Sequence, residues 1–168
     1  NWDKWNKIAE NMVNHDDQKI KIAMVGKYVT LADSYVSVNH ALKHAGAAIG
    51  KAIDIDWIDS ESITDYNQLA NYDGILVPGG FGTRGSEGII QTANYAREKN
   101  IPYLGICFGF QLAAIAFGRS VMNLNDANST EINAETTNPI VDLLPEQKDV
   151  SDMGGSLRLG ANDVIIQS

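Results

Sequence analysis

Cys107 is the residue of this chain best placed to do covalent chemistry. It is the single cysteine of the sequence and stands in Gly105-Ile106-Cys107-Phe108-Gly109. Pro102 to Ile106 read as an apolar strand that runs straight into an apolar helix, Phe108 to Phe117. A residue on such a turn is thrust out of the backbone at the C-terminal edge of a sheet. Glycines two places to either side leave room for the tight, strained turn. The helix that follows points its free N–H groups and positive dipole end back at the sulfur, which favours the anionic, nucleophilic form. G-x-C-x-G is therefore a thiol version of a nucleophile elbow. The competing reading makes Cys107 a small buried apolar residue, as most free cysteines are. The flanking glycines and the strand-to-helix setting favour the nucleophile.

A thiol that attacks a carbonyl creates an oxyanion, and backbone N–H donors must lie close to it. One donor in an elbow is the amide just after the nucleophile, here Phe108. The second has to come from another loop. Gly79-Gly80, in Gly79-Gly80-Phe81-Gly82, is the natural supplier, because glycine lets backbone approach a substrate. The alternatives for Gly79, Gly80, Gly82 and Gly85 are a phosphate cradle or merely a flexible loop. Their spacing matches neither G-x-G-x-x-G nor the P-loop, and no Lys-Ser/Thr follows. A cysteine nucleophile also needs a base, usually histidine. The histidines are His15, His40 and His44, and none follows Cys107. His40 and His44, four apart on one expected helix, have the spacing of half a metal site. Such pairs are more often surface or packing features, so we assign none of the three as base and expect no metal.

These residues need a scaffold. Trp2, Trp5, Ile8, Ala9 and Met12 recur at helical spacing, so residues 1–18 read as a docking helix followed by a linker from Asn14 to Gln18. Ile20 to Val25 reads as a buried strand. Ser34 is a candidate cap for a helix running to about His44, with Gly46 as its stop. Ile53, Ile55 and Trp57 alternate with Asp54 and Asp56, which predicts a strand with one wetter face near a sheet edge. Gly74 to Val77 reads as a short buried strand, Pro78 to Gly88 as a loop, and Glu87 to Lys99 as a helix. Asn123 to Asn138 is polar and loop-like. Met153 to Gly160 and Asp163 to Gln167 read as strands around turns. Alternating strands and helices predict an α/β fold, a mostly parallel central sheet with helices on both faces. Ligands gather at the C-terminal strand ends of such sheets, where both glycine turns fall.

Composition narrows the classes. The 168 residues suit one domain with a single sizeable core. A net charge of −8 disfavours nucleic acid as a partner and leaves room only for a local basic site. No apolar run reaches membrane-spanning length, and one unpaired cysteine argues for a reducing, cytoplasmic setting. The chain starts at Asn1 and stops at Ser168 after a strand-like run, so we expect a fragment of something larger at both ends.

Five blocks, in their order, resemble the class I glutamine amidotransferases, and within them the amidotransferase domain of CTP synthases. They are Val25-Gly26-Lys27-Tyr28, Val77 to Gly85, Gly105 to Gln111, Asn128-Ser129-Thr130-Glu131, and Gly154 to Gly160. The elbow fits any class I member; the other blocks are more specific. The resemblance implies a flavodoxin-like fold lacking its C-terminal part. It implies a linker from a synthase domain over 1–18 and the amidotransferase domain over 19–168. Cys107 would attack the side-chain amide of L-glutamine, forming a glutamyl thioester and releasing ammonia. Gly79, Gly80 and Phe108 would hold the oxyanion. Gly80, Phe81, Phe108, Gly109, Phe110, Gln111 and Glu131 would bind glutamine, with Glu131 against the α-ammonium. Ammonia would pass to a synthase domain that uses ATP and Mg to aminate UTP, in a homo-oligomer. Arg84, Gly85, Glu87 and Arg158 would answer GTP, an allosteric activator. No cofactor is implied for the amidotransferase domain itself. The family's catalytic His and Glu would lie beyond Ser168. Phe108 and Phe110 depart from the aliphatic residues common at those elbow positions. The alternatives are a catalytically silent binding or regulatory domain, another class I amidotransferase, or a different cysteine hydrolase of doubly wound fold.

Overall fold

The computed structural model describes residues 2–13, 16–29 and 33–143. Four runs rich in Ile, Val and Leu pair as a parallel sheet: β1 (Asp16–Gly26), β2 (Lys51–Asp59), β3 (Gly74–Val77) and β4 (Tyr103–Gly105), in the order β2-β1-β3-β4. Parallel neighbours need crossovers. α2 (Val36–Ile49) joins β1 to β2, and α3 (Ser86–Lys99) joins β3 to β4. α4 (Phe108–Ser120) leaves β4 directly, while α1 (Trp2–Val13) precedes the sheet. The β2–β3 connection holds a 3-10 turn, Tyr66–Asn71, started by Asp65, whose carboxylate accepts from the Asn67 N–H at 2.9 Å.

Period-two alternation sorts the sheet residues into two cores. Ala23, Val25, Ile75 and Val77 point to one face and pack with Ile89, Ile90 and Ala93 of α3 and Phe108, Leu112 and Ile115 of α4. Met24 and Leu76 point to the other, with Tyr35 and the α2 residues Val38 and Leu42. Helices thus cover both faces, as the alternating pattern predicts. β2 lies at the sheet edge, with Asp54 and Asp56 exposed. The strand order turns back between β1 and β3, the kind of switch point at which α/β sheets bind ligands. Lys27 and Tyr28, just after β1, and the loop after β3 flank it.

Local boundaries differ from the sequence reading in three places. β1 begins at Asp16, inside the expected linker. Ser34 does not cap α2; Tyr35 holds the cap position, with no side-chain cap bond. Gly46 does not stop α2, which runs on to Gly50 at φ 70°. Gly46 serves packing instead: a Cβ there would lie 2.6 Å from both the Ile53 side chain and the Lys51 carbonyl of β2. The polar stretch after α4 holds a small parallel pair, β5 (Asn128–Ser129) and β6 (Pro139–Val141). α1 docks on the end of α2, where the Asn11 amide donates to the Ala47 carbonyl at 2.7 Å. The expected strands at Met153 to Gly160 and Asp163 to Gln167 lie outside the described residues. Among the described residues, no helix is long and apolar enough to cross a membrane.

Candidate active site

Cys107 sits between β4 and α4 with φ 52° and ψ −108°. Left-handed φ at a residue with a Cβ is strained, and such strain persists only where the surroundings enforce it. The flanking glycines supply the enforcement. A Cβ on Gly105 would come within 2.5 Å of the Gly109 and Phe110 backbone, and one on Gly109 within 2.3 Å of the Val77 carbonyl. The first turn of α4 therefore rests directly on β3 and β4. The Ile106 N–H donates to the Val77 carbonyl at 2.9 Å and fixes the approach. The thiol is exposed, which removes the reading of Cys107 as a buried apolar filler. Phe108 opens α4, so its N–H is one of those left without a partner within the helix. Gly109→Ala should lower stability by at least the usual overpacking cost of about 1–3 kcal/mol. Urea unfolding checks this; an unchanged midpoint would show that the turn tolerates a side chain.

The loop after β3 closes over the elbow. A Cβ placed on Gly79 would touch the Cys107 Cβ at 3.7 Å, and one on Gly80 would touch the Phe108 ring at 3.7 Å. The structure thus brings Gly79, Gly80, Cys107 and Phe108 together, though they come from two separate turns. It also adds a residue to which the sequence reading gave no role. Lys27, just beyond β1, is 5% exposed. Its ammonium donates to the Phe81 carbonyl at 2.7 Å and the Gly82 carbonyl at 2.5 Å, and lies 4.3 Å from the centre of the Phe108 ring. Burial pulls this ammonium below its ordinary range; Glu131 opposes the shift and Arg84 adds to it. The signal in the sequence was a lysine directly after an apolar strand, where a long basic side chain can turn back over a strand end.

Glu131 is half-buried and reaches the same loop, accepting from the Gly82 N–H at 2.5 Å. Its own N–H donates to the Ser129 hydroxyl at 3.2 Å. Upstream in the chain, Asp126 ties the segment together. Its carboxylate accepts from the Thr137 N–H at 2.8 Å, from the Thr137 hydroxyl at 2.5 Å, and from the Asn138 side-chain amide. Those bonds hold the Asp126 carboxyl at about 2, below its ordinary 3.8. A depressed carboxyl stabilises above its unfolded value and loses that contribution as pH falls through the folded one. Acidification from about pH 4 to about 2 should therefore release the Thr137 amide into faster hydrogen exchange. Exchange in Asp126→Asn should lack that pH step.

The remaining candidates are distributed around this centre. Phe81 and Phe110 are exposed and Gln111 is half-buried. Gly85, at φ 65°, caps α3, and Gly82 also has positive φ, 76°. Arg84 donates to the Glu61 carboxylate at 2.6 Å and to the Lys27 carbonyl at 2.7 Å. Glu87 in the first turn of α3 pairs with Arg119 of α4 at 2.9 Å. Burial pushes the Glu87 carboxyl up, but bonds from Arg119 and Gln91 leave it below its ordinary value. Arg158 lies outside the described residues. His40 and His44 are exposed on α2, with ring centres 6.4 Å apart.

An exposed, strained thiol at a strand-to-helix turn, faced by a glycine loop, defines the class. Residues 30–167 match the family described as Glutamine amidotransferase class-I, and the chain belongs to that family. Its relatives narrow the kinship. The CTP synthase of Staphylococcus carnosus is 55% identical over 161 residues, covering 94% of this chain and 30% of that protein. The CTP synthase of Halalkalibacterium halodurans is 57% identical over 160 residues, with the same coverage of 94% and 30%. The chain thus spans about 30% of the length of these curated relatives. Among solved structures, the glutaminase domain of the Trypanosoma brucei CTPS with bound acivicin superposes with TM-score 0.72 at 39% identity, over 77% of this chain and 52% of that one.

Proposed function

We propose that this chain is the glutaminase domain of a CTP synthase. The observation that carries the reading is the Cys107 elbow facing Gly79, with Glu131 bound to the same loop. The relatives that match it over 94% of its length are CTP synthases. The Cys107 thiolate attacks the side-chain carbonyl carbon of glutamine. The electron pair moves onto the oxygen, and backbone N–H groups of Gly79-Gly80 and of Phe108 receive it. When this intermediate collapses, the C–N bond breaks and the nitrogen leaves as ammonia, taking up the proton that the thiol gave up on becoming the thiolate. Water then cleaves the thioester, giving glutamate and the free thiol. Glu131 holds the α-ammonium of the substrate, and Phe81, Gly109, Phe110 and Gln111 line its path.

The rest of the reading concerns the whole protein. Ammonia passes to a synthase domain that binds ATP and Mg and aminates UTP, a ligase reaction. GTP activates glutamine hydrolysis through the segments that carry Arg84, Gly85, Glu87 and Arg158. The enzyme works in the cytoplasm as a homo-oligomer. The test is CTP formation by the whole protein from UTP and ATP, with glutamine and with ammonia as alternative nitrogen sources. Both should support synthesis, and GTP should stimulate only the glutamine route. Synthesis from ammonia with none from glutamine would favour the silent-domain reading.

The 168-residue chain alone should show little turnover. Thioester formation and hydrolysis both need proton transfers, worth roughly 10²–10⁴ in rate. No histidine follows Cys107, and His40 and His44 project from the outer side of α2. Repeated ammonia release by the chain alone would overturn this and direct attention to its own histidines.

A further inference from the structure

Lys27 stands in a motif that the mechanism has not yet used. Lys27 is 5% exposed, and a buried ammonium is costly and survives only where partners replace its water. Three such partners are present: the Phe81 carbonyl, the Gly82 carbonyl and the face of the Phe108 ring. The geometry of the first is informative. The Phe81 carbonyl and the Gly82 N–H belong to one planar peptide unit and point in opposite directions. Lys27 holds the carbonyl edge at 2.7 Å, and Glu131 holds the N–H edge at 2.5 Å. That unit is therefore gripped from both sides, immediately downstream of Gly79-Gly80. The Arg84 guanidinium, from the far end of the loop, returns to the Lys27 carbonyl at 2.7 Å.

The same ammonium touches the other half of the site. Phe108 supplies the amide next to Cys107, and its ring is 2% exposed. A cation over an aromatic face is attracted to it, more strongly where water is excluded. Both sources of oxyanion donors, the Gly79-Gly80 turn and the start of α4, are thus referenced to one charged nitrogen.

We infer that Lys27 is a positioning residue for the glutaminase reaction, a clamp that holds the Gly79–Gly82 loop in register with Phe108 and the Cys107 thiol. The inference rests on the glutaminase reading for its chemistry, but its structural half stands apart from it. The clamp has no contact with substrate. It acts by fixing where the N–H donors lie when the oxyanion forms, and a small misplacement of such groups costs up to about 10²-fold in rate.

The test compares two alkylating agents on the whole protein. Acivicin, a glutamine analogue, needs the formed site; iodoacetamide needs only an exposed thiol. Lys27→Met keeps the stem and removes the charge. Its acivicin inactivation should slow by about tenfold or more in the saturating rate, within the range for misplaced groups, while half-saturation and iodoacetamide labelling change little. Phe108→Leu removes only the ring, and should slow acivicin by about two- to fivefold, the worth of one cation–aromatic contact. Hydrogen exchange at Gly82 and Thr83 should quicken in Lys27→Met. Unchanged exchange there, or a loss confined to half-saturation, overturns the clamp. Should neither parent nor variant react with acivicin while exchange still quickens, the clamp stands and the glutaminase reading falls. If Lys27→Met does not fold, Phe108→Leu decides: a parent-like acivicin rate and parent-like exchange overturn the proposal.

Discussion

Cys107→Ala should eliminate glutamine-supported CTP synthesis by the whole protein and leave ammonia-supported synthesis close to the parent. The asymmetry follows from the chemistry. Glutamine holds its nitrogen in an amide, and only a covalent step at the thiol releases it. Free ammonia needs no such step. Removing the nucleophile of a hydrolase that works through a covalent intermediate costs on the order of 10⁶ in rate, so a fall of at least about 10³ is a conservative expectation. The substitution is also mild for the fold. The thiol is exposed, and alanine keeps the Cβ that the turn at φ 52° already accommodates. Mass spectrometry supplies a second readout: a glutamine analogue should add its mass once to the parent, on the Cys107 peptide, and not to the variant. Retained glutamine-dependent activity in Cys107→Ala would remove the elbow from the mechanism. Equal loss with glutamine and ammonia would mean that the substitution had damaged the whole assembly.

What could be read from the sequence was what rests on local covalent structure and period. The strands Gly74–Val77 and Lys51–Asp59 announced themselves through apolar runs and alternation, and the elbow through two glycines flanking a cysteine. Those glycines work through sterics that any G-x-C-x-G turn onto a neighbouring strand would share, since Val77 and the α4 backbone leave no room for a Cβ. Gly46 misled because a glycine near a helix end has two uses. It can stop the helix or admit a neighbour, and only the position of Ile53 on the next strand decides. The role of Lys27 was hidden for a similar reason. Its partners, Phe81 and Gly82, lie more than fifty residues away, and they are backbone carbonyls, which every residue carries. Glu87 shows the same limit from the other side. The family resemblance placed it in a GTP-responsive segment, and nothing in the sequence pointed to its partner in the fold, Arg119 of α4, thirty-two positions on. Pairings of this kind depend on how α3 and α4 pack, which no local pattern encodes.

Glu131 offers the second large effect, and its two roles can be separated. One carboxylate oxygen already accepts from the Gly82 N–H at 2.5 Å, so the residue braces the loop before any substrate arrives. The proposed second role is to hold the α-ammonium of glutamine. A hydrogen bond to a charged group contributes about 1.5–3 kcal/mol, which corresponds to roughly 10- to 150-fold in affinity. Glu131→Gln keeps an oxygen for the Gly82 N–H and loses the charge. It should therefore raise KM for glutamine by about that factor while kcat falls much less. Glu131→Ala removes both functions. It leaves the Gly82 N–H without its partner and loosens one edge of the peptide that Lys27 holds by the other, so kcat should fall as well. Ammonia-dependent synthesis should survive both substitutions, because ammonia never visits this site. Steady-state kinetics with each nitrogen source on the two variants tests the assignment. Were Glu131→Gln to leave KM for glutamine at the parent value, the carboxylate would be a brace for the loop and some other group would hold the ammonium. Were ammonia-dependent synthesis to fail alongside the glutamine route, Glu131 would be structural for the domain as a whole.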